Sequence, residues 1–286
     1  MAHDGALMEF ACHTWGFHER SLTEALGTIA RMGFRYVDLG TGPHLELNRI
    51  AKDPRGIASE IRQELTLFNL QLSDVYLMLP RISLADESKR ARDIELFKRL
   101  LPFVIALETP GVTLSPGLAH PEDDTEALDR TVAALREMVD AAEAATPVTR
   151  LQVSIEPHMD SMAQTPEQTK AILDKVDGLQ VTLDWAQFVY ADVFHDRIVS
   201  LLPSTRHVQI RQAARAQLQT PFDRGRIDVA KVVGALQEAS YDGVVCVEYM
   251  QTKSERHGLV DVDTVTEAVR LRDALRDARD GQAVSD

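Results

Sequence analysis

The chain has 286 residues, 44% of them hydrophobic and 26% charged, a balance that excludes a largely disordered protein. No apolar run approaches the roughly 18 residues of a membrane-spanning helix, so a membrane partner is not expected. The formal net charge of −13 repels polyanions, and the arginines are scattered among acids, which argues against nucleic acid as a partner.

In chain order, short β-branched or aliphatic runs alternate with longer amphipathic stretches. The candidate strands are residues 9–13, 35–39, 71–77, 111–114, 151–156, 180–184, 207–211 and 244–248. Helical periodicity falls between and after them, at 21–32, 55–69, 87–106, 125–145, 166–176, 192–202, 229–240 and 262–279. Ser21-Leu22-Thr23-Glu24 fits a capping box, and Thr165-Pro166 sets an N-cap residue before a proline in the first helical turn. Gly33, Gly178 and Gly243 follow helices and precede strands, as turn glycines do. The charges at 261–279 read as a solvated helix face.

Eight βα units predict an α/β fold, a single closed (β/α)8 TIM barrel over residues 1–280, followed by a polar tail at 281–286. A doubly wound open sheet would bring a glycine-rich phosphate loop after its first strand. His13-Thr14-Trp15-Gly16-Phe17 is not one, which counts against a nucleotide cofactor. The two cysteines, Cys12 and Cys246, lie in apolar runs and read as buried thiols rather than a disulfide framework. The amino-terminal stretch shows neither a basic segment nor a long apolar one, so a cytoplasmic location is expected.

Functional side chains of such a barrel gather at the carboxyl ends of its strands. Strand five ends in Ser154-Ile155-Glu156-Pro157-His158 and strand six in Thr182-Leu183-Asp184-Trp185-Ala186-Gln187. Strand seven runs His207-Val208-Gln209-Ile210-Arg211, and strand eight ends in Val247-Glu248-Tyr249. One strand-end glutamate often pairs with a rim arginine. Three carboxylates at matched ends repel one another unless a cation neutralises them, and an oxygen-rich set suits Mg²⁺ or Mn²⁺. His158 lies beside this cluster, and His13 and Trp15, after strand one, are candidates for the pocket wall.

The runs I-E-P-H, L-D-W-A-Q, H-V-Q-I-R-Q-A and V-E-Y resemble the xylose-isomerase-like superfamily, which includes sugar isomerases, ketose 3-epimerases and hydroxypyruvate isomerase. Residues 218–220, 225–228 and 241–243 also resemble members described as sugar phosphate isomerase/epimerase. The resemblance implies one divalent ion, Mn²⁺ or Mg²⁺, held by Glu156, Asp184, Gln209 and Glu248, with Gln209 in the place of a family histidine. His207, two residues earlier on the same face, is the alternative strand-seven ligand. A glutamine amide offers oxygen but takes up no proton at neutral pH.

The resemblance further implies that Glu156 and Glu248 exchange a proton on opposite faces of a keto-sugar or hydroxy-ketone, through an enediolate. His158, Gln187, Arg211 and Arg215 would hold hydroxyls or a phosphate, with His207, His13 and Trp15 also lining the substrate site; the stretch after strand seven, 212–226, reads from its length as a lid. The activity so implied is a metal-dependent sugar isomerase or epimerase of carbohydrate metabolism. Alternatives are a lyase or hydratase acting on an oxidised glycoside, and a non-catalytic barrel that binds carbohydrate or a partner. The superfamily's endonucleases need extra histidines that strands two and three lack. Homo-oligomerisation is left open.

Overall fold

Aliphatic and β-branched runs of four to seven residues form eight parallel strands in the computed structural model. It describes residues 8–281 apart from 122, 147, 149–150 and 253–254; the amino-terminal stretch up to residue 7 and the expected tail beyond Gly281 lie outside the described residues. The strands are β1 (Glu9–His13), β2 (Tyr36–Gly40), β3 (Gln71–Leu77), β4 (Gly111–Leu114), β5 (Gln152–Ile155), β6 (Leu179–Asp184), β7 (Thr205–Ile210) and β8 (Val244–Val247). Each pairs with the next and β8 closes on β1, giving the expected (β/α)8 barrel. The helices are α1 (Leu22–Arg31), α2 (Leu47–Ile50), α3 (Pro54–Leu67), α4 (Glu87–Ala106), α5 (Ala127–Ala145), α6 (Pro166–Leu173), α7 (Trp185–Tyr190), α8 (His195–Val199), α9 (Val229–Glu238) and α10 (Thr264–Arg279).

Local chemistry sets the boundaries. Ser21 and Glu24 form the capping box of α1, and Thr165 with Gln168 forms that of α6, where Pro166 opens the first turn. The helix expected at 192–202 is shorter because Asp192 takes a left-handed conformation, φ 57°, that ends α7 and delays α8. At the end of α9 the left-handed position is Ser240, φ 53°, rather than Gly243. The last helix is more than a solvated face. Glu267 and Arg272 on α10 are buried, with Glu267 accepting from the Phe222 backbone and Arg272 lying over the Phe34 ring.

Two bulges decide what fills the barrel interior. Between β2 and β3 the register advances from Val37↔Leu72 to Asp38↔Asp74, which leaves Ser73 as the extra residue. Between β6 and β7 it advances from Val181↔Thr205 to Thr182↔His207, leaving Arg206 as the extra residue. A bulge lets two consecutive side chains share one face of a strand. Thus Ser73 Oγ and His207 Nε2 both reach Asp38, at 2.5 and 2.6 Å, while Arg206 reaches Asp74 at 2.6 Å and Ser154 Oγ at 2.8 Å. Gly111 makes room for that guanidinium, since a Cβ there would stand 2.5 Å from Arg206 Nη1. This polar base lies beneath the mouth that holds the site.

Candidate active site

Strand parity aims Glu156, Asp184, Gln209 and Glu248 into the barrel mouth. Glu156 extends β5, its backbone N–H donating to Leu114. Asp184 ends β6 and caps α7, its Oδ1 accepting from the Ala186 backbone at 2.9 Å. Gln209 stands in register with Asp184 across β6 and β7. Glu248 continues β8, its N–H donating to Ile210. All four side chains are buried, and one oxygen from each carboxylate lies within 4.8 Å of the other two.

Arg211, also buried, reaches into this cluster. Its Nη2 lies 2.9 Å from Asp184 Oδ2, and its Nη1 donates to Glu248 Oε2. The Asp184 contact is an ion pair without hydrogen-bond alignment, so that Oδ2 retains free acceptor capacity. Three ionised carboxylates and one guanidinium leave two negative charges uncompensated. Burial, reinforced by Glu156, pushes the Asp184 carboxyl above its ordinary range despite the opposing effect of Arg211. Burial likewise raises Glu248 well above its ordinary value, with Asp184 and Glu156 adding to the effect and Arg211 again opposing it. A site that costs this much to ionise favours either protons or a cation.

Gln209 bears on which of the two. Its Oε1 and Nε2 are both buried and have no hydrogen-bond partner among the described residues. An unsatisfied buried amide is costly, and carboxyl protons would not relieve its oxygen unless one pointed at it. A divalent ion takes oxygen donors from carboxylates and amides alike. The residues therefore fit such an ion: Glu156, Asp184 and Glu248 as anionic ligands, Gln209 Oε1 as a neutral one, and a residual charge of matching size.

The surrounding side chains offer hydrogen-bonding groups. Gln187, on α7, donates to Glu156 Oε1 at 3.3 Å. His158 sits between the Met159 carbonyl, 2.6 Å from Nδ1, and Ser115 Oγ, 3.2 Å from Nε2. The carbonyl accepts only, so Nδ1 carries the proton. His13 Nδ1 accepts from the Trp15 backbone at 3.0 Å, which leaves Nε2 without a partner among the described residues. Trp15 packs between His13 and Tyr76 with its ring tilted to both, centroids 4.3 and 5.3 Å away, and its Nε1 donates to the Thr41 carbonyl. Burial, then Glu156, keeps the Tyr76 hydroxyl far above its ordinary pKa and so protonated.

Two expected contacts lie elsewhere. His207 is one layer deeper, bonded to Asp38 and grouped with Cys246 rather than with the three carboxylates. Arg215 is exposed on the rim, 3.6 Å from Asp192. The expected lid at 212–226 is tied down along its length. Gln212 bonds both backbone groups of Ile227, and Gln219 bonds the backbone of Met250 and Val260. Sequence reasoning missed Tyr76 and Gly40, which are paired in register on β3 and β2. The bulge at Ser73 sets the phase of Tyr76, and nothing in the local sequence announces it.

A parallel eight-stranded barrel with a carboxylate cluster sunk in its C-terminal mouth defines the class. The chain belongs to the xylose isomerase-like TIM barrel family, whose model matches residues 26–276. No curated protein sequence matches it. Among solved structures, D-psicose 3-epimerase of Clostridium cellulolyticum H10 superposes with a TM-score of 0.75 at 16% identity, covering 95% of this chain and 99% of the other. A xylose isomerase-like barrel protein of Mycobacterium smegmatis in complex with magnesium gives 0.70 at 17% identity, covering 95% and 98%. The 3-keto-D-glucoside 4-epimerase of E. coli gives 0.67 at 16% identity, covering 96% and 99%. At these identities the likeness establishes the shared fold.

Proposed function

We propose that this barrel is a divalent-metal-dependent isomerase or epimerase of a keto-sugar or hydroxy-ketone, working in the cytoplasm, where its two buried free thiols suit the reducing conditions. The convergence of Glu156, Asp184 and Glu248 within 4.8 Å carries the reading, and the sugar epimerases among its structural neighbours support it.

Mn²⁺ or Mg²⁺, when bound by Glu156, Asp184, Gln209 and Glu248, would polarise a substrate carbonyl and acidify the adjacent C–H. Glu156 and Glu248, from β5 and β8, are the pair that removes that proton and returns one from the other side. Gln187 fixes Glu156 through its amide N–H. The Trp15 face, the His13 Nε2–H and the Tyr76 hydroxyl supply an apolar wall and two donors for substrate hydroxyls or the carbonyl oxygen.

Incubation with candidate keto-sugars in heavy water tests this. Mn²⁺-dependent incorporation of one deuterium at the carbon beside the carbonyl, in recovered or rearranged sugar, is the expected result. Release of an aglycone or of water would identify a lyase instead. No exchange with any keto-sugar, in protein shown to hold the ion, would leave a binding barrel.

A further inference from the structure

Arg211 stands where a cation is wanted. Its guanidinium bridges Asp184 and Glu248, two of the three carboxylates whose oxygens cluster within 4.8 Å. It is also anchored from behind, with Nε donating to the Leu218 carbonyl at 3.2 Å and Nη1 to the Glu248 carbonyl at 3.3 Å. The backbone anchors involve neither carboxylate's oxygens. The side chain can therefore give up Asp184 and the Glu248 carboxylate without becoming a buried cation stripped of every partner.

We propose that Arg211 is a built-in counter-ion, holding the ligand set in place in the metal-free protein and competing with the divalent ion for Asp184 and Glu248. This inference rests on the proposed metal site and adds its regulation: occupancy is set by an exchange between an internal guanidinium and an external ion. A positive group in direct contact with two ligands lowers ion affinity, because the ion can take up those oxygens only as the guanidinium gives up at least one of them. The neutral amide of Gln209 offers the ion an oxygen but brings no charge to offset the guanidinium. The protein is consequently built to stay folded without metal and to load only when the ion is plentiful.

Calorimetric titration of chelator-treated wild type, Arg211→Gln and Arg211→Lys with Mn²⁺, in the absence of substrate, tests the competition. Arg211→Gln is expected to bind Mn²⁺ about ten-fold tighter or more, with Arg211→Lys between it and wild type, because Lys keeps the charge but not the two-carboxylate bridge. Arg211→Gln binding no tighter than a wild type that does bind would overturn the inference while leaving the metal site intact. Absence of binding in all three proteins would remove both.

A crystal structure of wild type soaked in Mn²⁺ covers the case of a variant that does not fold. An ion coordinated by Asp184 and Glu248, with Arg211 withdrawn from at least one of them, supports the competition. An ion bound with both ion pairs unchanged refutes it. The proposed catalysis is read separately, from deuterium exchange.

Discussion

Replacing Gln209 with leucine should strengthen the metal-free protein while weakening its hold on metal. The amide is buried, and neither of its polar atoms has a partner among the described residues. Leucine has a similar volume and no polar group, so the substitution removes an unsatisfied donor and acceptor without opening a large cavity. Unsatisfied buried polar groups cost about 1–3 kcal/mol, and that is the expected gain in stability. With an unfolding entropy of about 2.1 cal/mol/K per residue, a chain of this length has roughly 0.6 kcal/mol/K, so the gain should raise the melting temperature by roughly 2–5 °C. Differential scanning calorimetry in chelator reads it directly. Added Mn²⁺ should then raise the melting temperature of wild type more than that of the variant, since a ligand stabilises in proportion to its affinity for the native state. A chelated Gln209→Leu protein that melts at or below wild type would refute the reasoning, because it would mean that the amide is already satisfied.

Glu156→Gln should lower kcat for deuterium exchange by about 10²-fold or more, measured at saturating Mn²⁺; retention of wild-type exchange would remove Glu156 from the proton transfer. Gly40→Ala would set a Cβ 2.6 Å from Trp15 Cε2 and 2.7 Å from His13 Cε1, and overpacking of this kind costs about 1–3 kcal/mol. A lower urea midpoint and a shifted Trp fluorescence maximum are expected, and unchanged values would show that the wall yields freely. Burial depresses His13 from 6.5 to about 3, so the native state holds it neutral while the unfolded chain protonates it. The stability it supports is therefore complete above pH 6.5 and is lost as the pH falls towards 3. Between pH 6.5 and 5 the loss is about 2 kcal/mol. Urea titrations at the two pH values should show a smaller loss in His13→Gln, and an equal loss would exclude His13 as its source.

The barrel was legible because its two periodicities are local. Runs such as 71–77 and 244–248 mark strands, and caps such as Ser21 and Thr165 mark helix starts. The carboxylates were legible for a related reason: a strand's last residue is fixed once the strand is, so Glu156, Asp184 and Glu248 could be placed at the mouth in advance. The partners of those carboxylates were not. Arg211 follows Gln209 by two residues and shares its face, but only the closed barrel shows that its guanidinium reaches across to both Asp184 and Glu248. The depth of His207, its bond to Asp38 and the inward turn of Arg206 all depend on register shifts between strands distant in sequence. The resemblance that placed Arg215 near substrate followed chain position, whereas the segment carrying it turns outward to meet Asp192.

The paired irregularities in β3 and β7 also bear on how such a protein can change. Each inserts one residue below the mouth, so the Asp74–Arg206 and Asp38–His207 links form across the floor while the strands above keep their alternation. The floor thus works as a keystone. Side chains at the rim can be exchanged for ones that suit a different ligand without altering the links that hold the staves together, and the ancestry of new specificities in this scaffold should be written above that line.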